Sequence, residues 1–432
     1  MNISSRHTVQ NGVFDAAIEQ YAALGVDVED AIAKARALPI SLHCWQGDDV
    51  GGFEKAGASL EGGGIQVTGS YPGKARTIDE LRADIERVKS LVPGAMRLSL
   101  HAIYGDFHGA AVDRDELEPA HFSSWIEWAA ATRVPLDFNA TFFSHPLAAD
   151  GLTLSHSDAS VRAFWIEHAR RARKVAAAFG AAQGSPSMHN LWVPDGSKDK
   201  TGERRAARER LIAALDAVYA ESFDSATLED AVEGKLFGIG AEYFTVGSND
   251  FYLGYAATRK LFLTLDMGHF HPTESVADKI PAVLPFVRGI LLHMSRGVRW
   301  DSDHVLIQSD ELADVASEVV RCTDGNPGAP SARIKVALDY FDGSINRIGA
   351  WAIGARAARK AFLCALLEPW QRVAEAERAG DGFARLALFE EEKSLPWGAV
   401  WEELCRRDGV PTDARFIAEV HAYARDVLAR RH

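Results

Sequence analysis

Cysteine is scarce: Cys44, Cys322, Cys364 and Cys405 are the only four among 432 residues, and no two form a C-x-x-C pair. That spacing excludes a disulfide scaffold and a zinc finger, and it suits a reducing cytoplasm. No apolar run reaches membrane-spanning length; the longest are strand-sized. The opening stretch MNISSRHTVQNGVFDAAIEQ has no apolar core of signal-peptide type, so the chain reads as soluble and unprocessed. Basic charge is also short. Lys+Arg number 47 against 60 Asp+Glu, a formal net charge of −13. Such a balance disfavours nucleic-acid backbones and anionic membranes as partners. GGGIQVTG is no phosphate-binding loop, because the G-x-x-x-x-G-K-[ST] pattern is missing. The charge points instead to a neutral or cationic small molecule, or to an enzyme that needs a metal cation.

What is present suits a large globular core: 47% hydrophobic residues, with 10 Trp and 21 Phe. Residues 13–38 read as an Ala-rich helix stopped by Pro39. Eight strand patterns follow: Ile40–Trp45, Arg97–Tyr104, Leu136–Phe143, His189–Val193, Lys235–Ile239, Leu261–Asp266, Ile290–Met294 and Ile334–Tyr340. Helical patterns such as Asp79–Leu91, Ser160–Phe179 and Ala206–Tyr219 lie between them. Strands alternating with helices imply parallel βαβ units, and eight units imply a closed (β/α)₈ barrel, an α/β TIM-barrel fold. Residues 351–432 carry only helical patterns, so we divide the chain into a barrel with an N-terminal helix over 1–350 and a helical extension over 351–432. Gly51–Gly73, with eight glycines and with Phe53 and Ile65 as apolar surface, follows the first strand and is expected to be a lid on the barrel's active rim.

Acids and imidazoles recur where a parallel barrel carries its chemistry, at the C-terminal ends of strands. Asp266 ends LFLTLD and His269 follows in D-M-G-H; His293 is next to last in ILLHM; Asp339 ends IKVALD. Asp301 and Asp303 form D-S-D, and Glu233 and Lys235 form E-G-K at the expected start of the fifth strand. These are seven candidate metal ligands and one lysine. Oxygen-rich sets with one or two imidazoles suit Mn²⁺, Mg²⁺ or Co²⁺. Seven ligands exceed the need of one ion that also holds substrate, whereas two ions sharing a carboxylate use them all. Two residues apart in an extended segment, Asp301 and Asp303 point to the same side. His43 and His101 also sit late in strands, and Trp192 in NLWVPDG offers an aromatic wall for a sugar face.

The blocks ISLHCWQGDDVGGFE, GSYPGKARTIDELRADIE, DFNATFFSHPLAADGLTLSH, LWVPDGSKD, KLFGIGAEYFTVGSNDFYLGY, LDMGHFHPTE, SRGVRWDSDHV and LDYFDGSINRI resemble the bacterial L-rhamnose isomerases, and so does KSLPWGAVWEELC near the end. The resemblance implies a barrel with two divalent metal sites, Mn²⁺ first and Zn²⁺ or Co²⁺ at one of them. It also implies a homotetramer that converts L-rhamnose to L-rhamnulose. Carried over, Glu233, Asp266, His293 and Asp339 would hold the structural ion. His269, Asp301 and Asp303, with Asp266 bridging, would hold the catalytic one. Lys235, Asp301 and Asp339 would be the catalytic residues, and His101, Trp192 and Lys235 would contact the sugar. GNPGAPSA before the last strand and residues 1–12 are departures from the family pattern.

With metal ligands abundant and no obvious free Glu base, a hydride shift is favoured over proton transfer through an enediol. Lys235 would stabilise the developing oxyanion. The alternatives are a same-fold isomerase preferring L-mannose or D-allose, a two-metal barrel hydrolase, and a sugar-binding barrel without catalysis.

Overall fold

A computed structural model describes residues 3–54, 67–299 and 303–431. Eight parallel strands close into a barrel: β1 (Ile40–His43), β2 (Met96–His101), β3 (Leu136–Asn139), β4 (Ser187–Trp192), β5 (Leu228–Glu233), β6 (Phe262–Asp266), β7 (Gly289–Met294) and β8 (Ile334–Leu338). Each strand pairs with its neighbours in chain order, and β8 returns to β1. Helices lie outside, covering the sheet, which is why the strands read as near-continuous apolar runs.

Within each strand the alternation of two sorts side chains between ring and lumen. Met188, Ala231, Phe262, Leu291 and Ala337 form a small apolar cluster of their own. Two residues further along the same strands stand Asn190, Glu233, Thr264, His293 and Asp339. Register brings these chemical residues abreast: Trp192 pairs with Glu233, Glu233 with Thr264, and Asp266 with His293. Toward the opposite mouth lies a half-buried ion pair, Arg97 to Asp137 at 2.7 Å, with Ser41 donating to the same carboxylate.

The ring helices dock through apolar stripes. In Asp310–Cys322 the buried residues Leu312, Val315, Ala316, Val319 and Val320 keep helical spacing, and Ser309 caps the helix at Leu312 N. Trp125, Trp165 and Trp351 are wholly buried against the barrel, each a side chain whose truncation costs about 3–5 kcal/mol.

Two expectations change. The N-terminal segment is two helices, Ile3–Ala23 and Val28–Ala37, instead of one over 13–38. Gly25 at φ 82 turns the chain, and Asp27 caps the second helix at Asp30 N. The fifth strand is Leu228–Glu233, not Lys235–Ile239. LEDAVE hides its strand character behind three acids: Asp230 is satisfied by Arg173 at 2.9 Å, and Glu229 lies 4.0 Å from Arg288. KLFGI is a loop whose Ile239 is exposed. The ring's eighth helix is Arg347–Leu367.

Helix Trp397–Arg407 packs back on the N-terminal helices: Val400, Trp401 and Leu404 share a cluster with Tyr21, Ile32 and Leu367. Helix Gly382–Glu392 buries no residue, and Phe383 is 84% exposed. No helix among the described residues is long and apolar enough to cross a membrane.

Candidate metal centre

Glu233 stands at the C-terminal end of β5 and not at the start of a strand; Asp266 likewise ends β6, and His293 is next to last in β7. Asp339 follows the last residue of β8. Glu233, Asp266, His293 and Asp339 each offer a ligand atom within 4.8 Å of the others. His293 Nδ1 sits 3.4 Å from Glu233 Oε1, 3.6 Å from Asp266 Oδ2 and 3.2 Å from Asp339 Oδ2. Asp266, His269 and Asp303 form a second group at the same spacing, so Asp266 belongs to both. Asp301, the remaining expected ligand, lies outside the described residues.

Protein donors hold one oxygen of each carboxylate in the first group. Asn190 Nδ2 donates to Glu233 Oε2 at 2.5 Å, and Thr264 donates to Asn190 Oδ1 at 2.7 Å. Ser295 Oγ and Gly268 N donate to Asp266 Oδ1 at 3.0 and 2.6 Å. Trp45 Nε1 donates to Asp339 Oδ1 at 3.0 Å. By contrast, Glu233 Oε1, Asp266 Oδ2 and His293 Nδ1 are buried without a hydrogen-bond partner. Leaving buried polar atoms unmet is costly, and three converging on one point make a donor set that fits a divalent cation. In the second group His269 Nδ1 lies 3.1 Å from the Gly234 carbonyl, an arrangement that favours the Nδ1–H tautomer and would make Nε2 the nitrogen offered to an ion. Gly268 lets this group close up: a Cβ there would lie 2.5 Å from Asp303 Oδ1 and 2.8 Å from Ser295 Oγ.

The carboxylates around His293 favour a positive charge among them. Burial lowers the affinity of His293 for a proton, but the neighbouring carboxylates of Glu233, Asp266 and Asp339 outweigh it and raise its pKa well above the usual 6.5. Burial raises the Glu233 carboxyl, and the neighbouring His293 and His269 rings bring it net below the usual range. Asp266 stays raised, chiefly by burial. A divalent ion meets the same demand while leaving both imidazoles neutral.

These groups border a cavity of about 440 Å³. On its walls stand Trp45, His101, Trp192, Lys235 and Val50. His101 Nδ1 contacts Thr141 Oγ1 at 3.1 Å, and burial pushes its pKa down to about 3, so the ring is neutral. Lys235 Nζ lies 4.8 Å from the centre of the Trp192 ring, which stacks on His269 at 6.3 Å. His43 is not in either group; it is wholly buried against Tyr340, ring centres 4.3 Å apart.

Sequence reasoning missed Trp45, Asn190, Thr264 and Ser295. Asn190 and Thr264 precede Trp192 and Asp266 by two and so share their face of the sheet. That spacing was available as a signal; residue type, neither acid nor imidazole, hid it. The expected lid Gly51–Gly73 falls outside the described residues over 55–66, including Gly57, Gly62, Gly63, Gly64 and Ile65. Its ends are seated: Phe53 N donates to Ile103 O and Tyr71 N to Gly343 O, both at 2.7 Å.

A family model described as L-rhamnose isomerase matches residues 8–431. An L-rhamnose isomerase of Salmonella paratyphi B is 54% identical over 418 residues, covering 97% of this chain and 98% of the relative. One from Salmonella agona is 53% identical with the same coverage. Among solved structures an L-ribulose 3-epimerase, 14% identical, covers 78% of this chain and 96% of its own length at a TM-score of 0.45.

Proposed function

The chain belongs to the L-rhamnose isomerase family and is an isomerase, and we propose that it converts L-rhamnose to L-rhamnulose with two divalent ions at the barrel mouth. The observation that carries the reading is the sharing of Asp266 between two donor groups beside a cavity of sugar size. Glu233, Asp266, His293 and Asp339 would hold one ion. His269, Asp303 and Asp301, with Asp266 bridging, would hold the other. Mn²⁺ is the expected ion, with Zn²⁺ or Co²⁺ as alternatives at one site. Bound there, a divalent ion supplies a Lewis acid that polarises the sugar carbonyl and favours movement of hydrogen between C1 and C2 as hydride.

The chain's own residues do the rest. Lys235 places a compact positive charge beside the oxygen that gains negative charge. Trp192 offers a flat apolar face to the sugar's C–H groups, and neutral His101 offers a ring nitrogen to a hydroxyl. Among the described residues lining the cavity, the carboxylates are Glu233, Asp303 and Asp339, all in the donor groups, and Asp342. Asp342 Oδ1 is taken by Ser344 N at 2.7 Å and Ser344 Oγ at 2.5 Å. This supports a hydride shift over a carboxylate base poised at C2.

Ketose formation from L-rhamnose is measured with added Mn²⁺ and with metal-stripped protein; activity that is independent of metal sinks the reading. Deuterium placed at C2 is expected to remain in the product in ordinary water, and its wash-out would overturn the hydride route. A homotetramer in the cytoplasm completes the proposal. The exposed Phe383 and Leu386 on helix Gly382–Glu392 support a subunit contact, and light scattering tests it.

A further inference from the structure

Two consecutive non-glycine residues on the loop after β1, Asp49 and Val50, both have φ of 60°. A β-branched residue in the left-handed region is an outlier, because its branched Cβ crowds the backbone there. Such a conformation persists only where the surroundings impose it, and it clusters at functional sites. Here the strained residue is on the wall of the cavity: Val50 is 2% exposed and lines it.

The surroundings that impose it are visible. Arg347, at the start of the eighth ring helix and 3% exposed, grips the Asp49 carboxylate with Nε at 2.8 Å and Nη2 at 2.7 Å. Its remaining nitrogen, Nη1, donates to Tyr71 O at 2.6 Å. Val50 N donates to Trp45 O at 3.0 Å, and Trp45 in turn holds Asp339. On the near side Asp48 takes Tyr104 Oη and Gly52 N, each at 2.7 Å. The loop is thus fastened to a rigid helix by a planar two-point fork, which fixes orientation as well as distance. If Asp49 relaxed to negative φ, the chain direction at Val50 would change and its side chain would leave the wall.

We infer that the Asp49–Arg347 pair is a positioning device for the sugar cavity: it holds Asp49 and Val50 in the left-handed region and so keeps Val50 against the bound sugar. This rests on the cavity being the sugar site. Both residues act through Val50 and touch no reacting atom.

The test uses the metal-loaded full chain and compares Asp49→Ala with Asp49→Gly. Glycine adopts φ of 60° without a clamp, whereas alanine does not. In Asp49→Ala the KM for L-rhamnose is expected to rise about tenfold with kcat within about threefold, since a wall contact is uniform binding. Asp49→Gly is expected to return KM to within about threefold of the wild type. Equal KM values in the two variants overturn the inference: both normal means that the pair positions nothing, and both raised means that it acts through charge alone. Should Asp49→Ala fail to fold, Arg347→Lys and Asp49→Asn take its place. Lysine keeps the charge without the fork, so KM should rise; asparagine tolerates the left-handed region, so KM should stay near normal. The opposite order refutes the inference. A wild-type chain that forms no ketose fails the functional reading instead. The same comparison is then read from the calorimetric affinity for free L-rhamnose, and absence of any sugar binding overturns both.

Discussion

Replacing Asn190 by alanine removes the donor that occupies Glu233 Oε2 and leaves the Thr264 hydroxyl without its acceptor. Asn190, Glu233 and Thr264 are all buried, so solvent screens little of the effect. A hydrogen bond to a charged group contributes about 1.5–3 kcal/mol. With Oε2 held, Glu233 presents Oε1 to the first donor group; released, the carboxylate gains a rotation that metal binding must remove. At roughly 1.4 kcal/mol per tenfold, the affinity of that group for Mn²⁺ should fall about 10- to 100-fold. Thr264→Val breaks only the outer link, so its loss should be smaller, about threefold. The assay is calorimetric titration of Mn²⁺ into metal-stripped protein, with the melting midpoint of the same samples as a control for folding. Affinity in Asn190→Ala within threefold of the wild type would refute the reasoning, and so would a larger loss in Thr264→Val than in Asn190→Ala.

Three further outcomes follow from the same geometry. Asp303→Asn should lower turnover at saturating Mn²⁺ by about 100-fold and leave the melting midpoint within about 2 °C, because this side chain serves the second group and not the core; near-normal turnover counts against the assignment. Gly268→Ala drives a Cβ toward Asp303 Oδ1 and Ser295 Oγ, so metal content after dialysis should fall toward one ion per chain, and two retained ions would contradict the packing argument. His43, His101 and His168 are each pushed down to about 3, chiefly by burial, against 6.5 in the unfolded chain. Between those values the unfolded state binds more protons, so stability is lost as pH falls from 6.5 toward 3, by roughly 1.4 kcal/mol per pH unit for each ring. Removing one such proton in His168→Gln should make the fall in denaturation midpoint between pH 6.5 and 5 shallower, and an unchanged slope would exclude this source.

Much of the architecture is legible in the linear chain because a parallel barrel is periodic. Apolar runs such as LFLTL and IKVAL must be strands when amphipathic helices separate them, and the residue that ends each run must lie at the mouth. That rule places Asp266, His293 and Asp339 on one rim from the sequence alone. The rule failed at β5 because its outer and lower positions are acids neutralised by partners far away in sequence, Arg173 and Arg288. An apolar run nearby, KLFGI, then took the strand's place. The break near Gly25 was missed because the composition on either side is equally helical.

By itself the sequence determined the fold class, the family and the chemical types on the rim, since these depend on local periodicity and on which side chains end each strand. Only the tertiary structure decided which atoms meet. Register between separate strands sets Asp266 beside His293 and Trp192 beside Glu233. Contacts spanning 43, 294 and 298 positions let Asn190, Trp45 and Arg347 orient Glu233, Asp339 and Asp49. No local pattern encodes such pairs, because hydrogen bonds between distant residues depend on closure of the whole barrel and not on the spacing of neighbours along the chain.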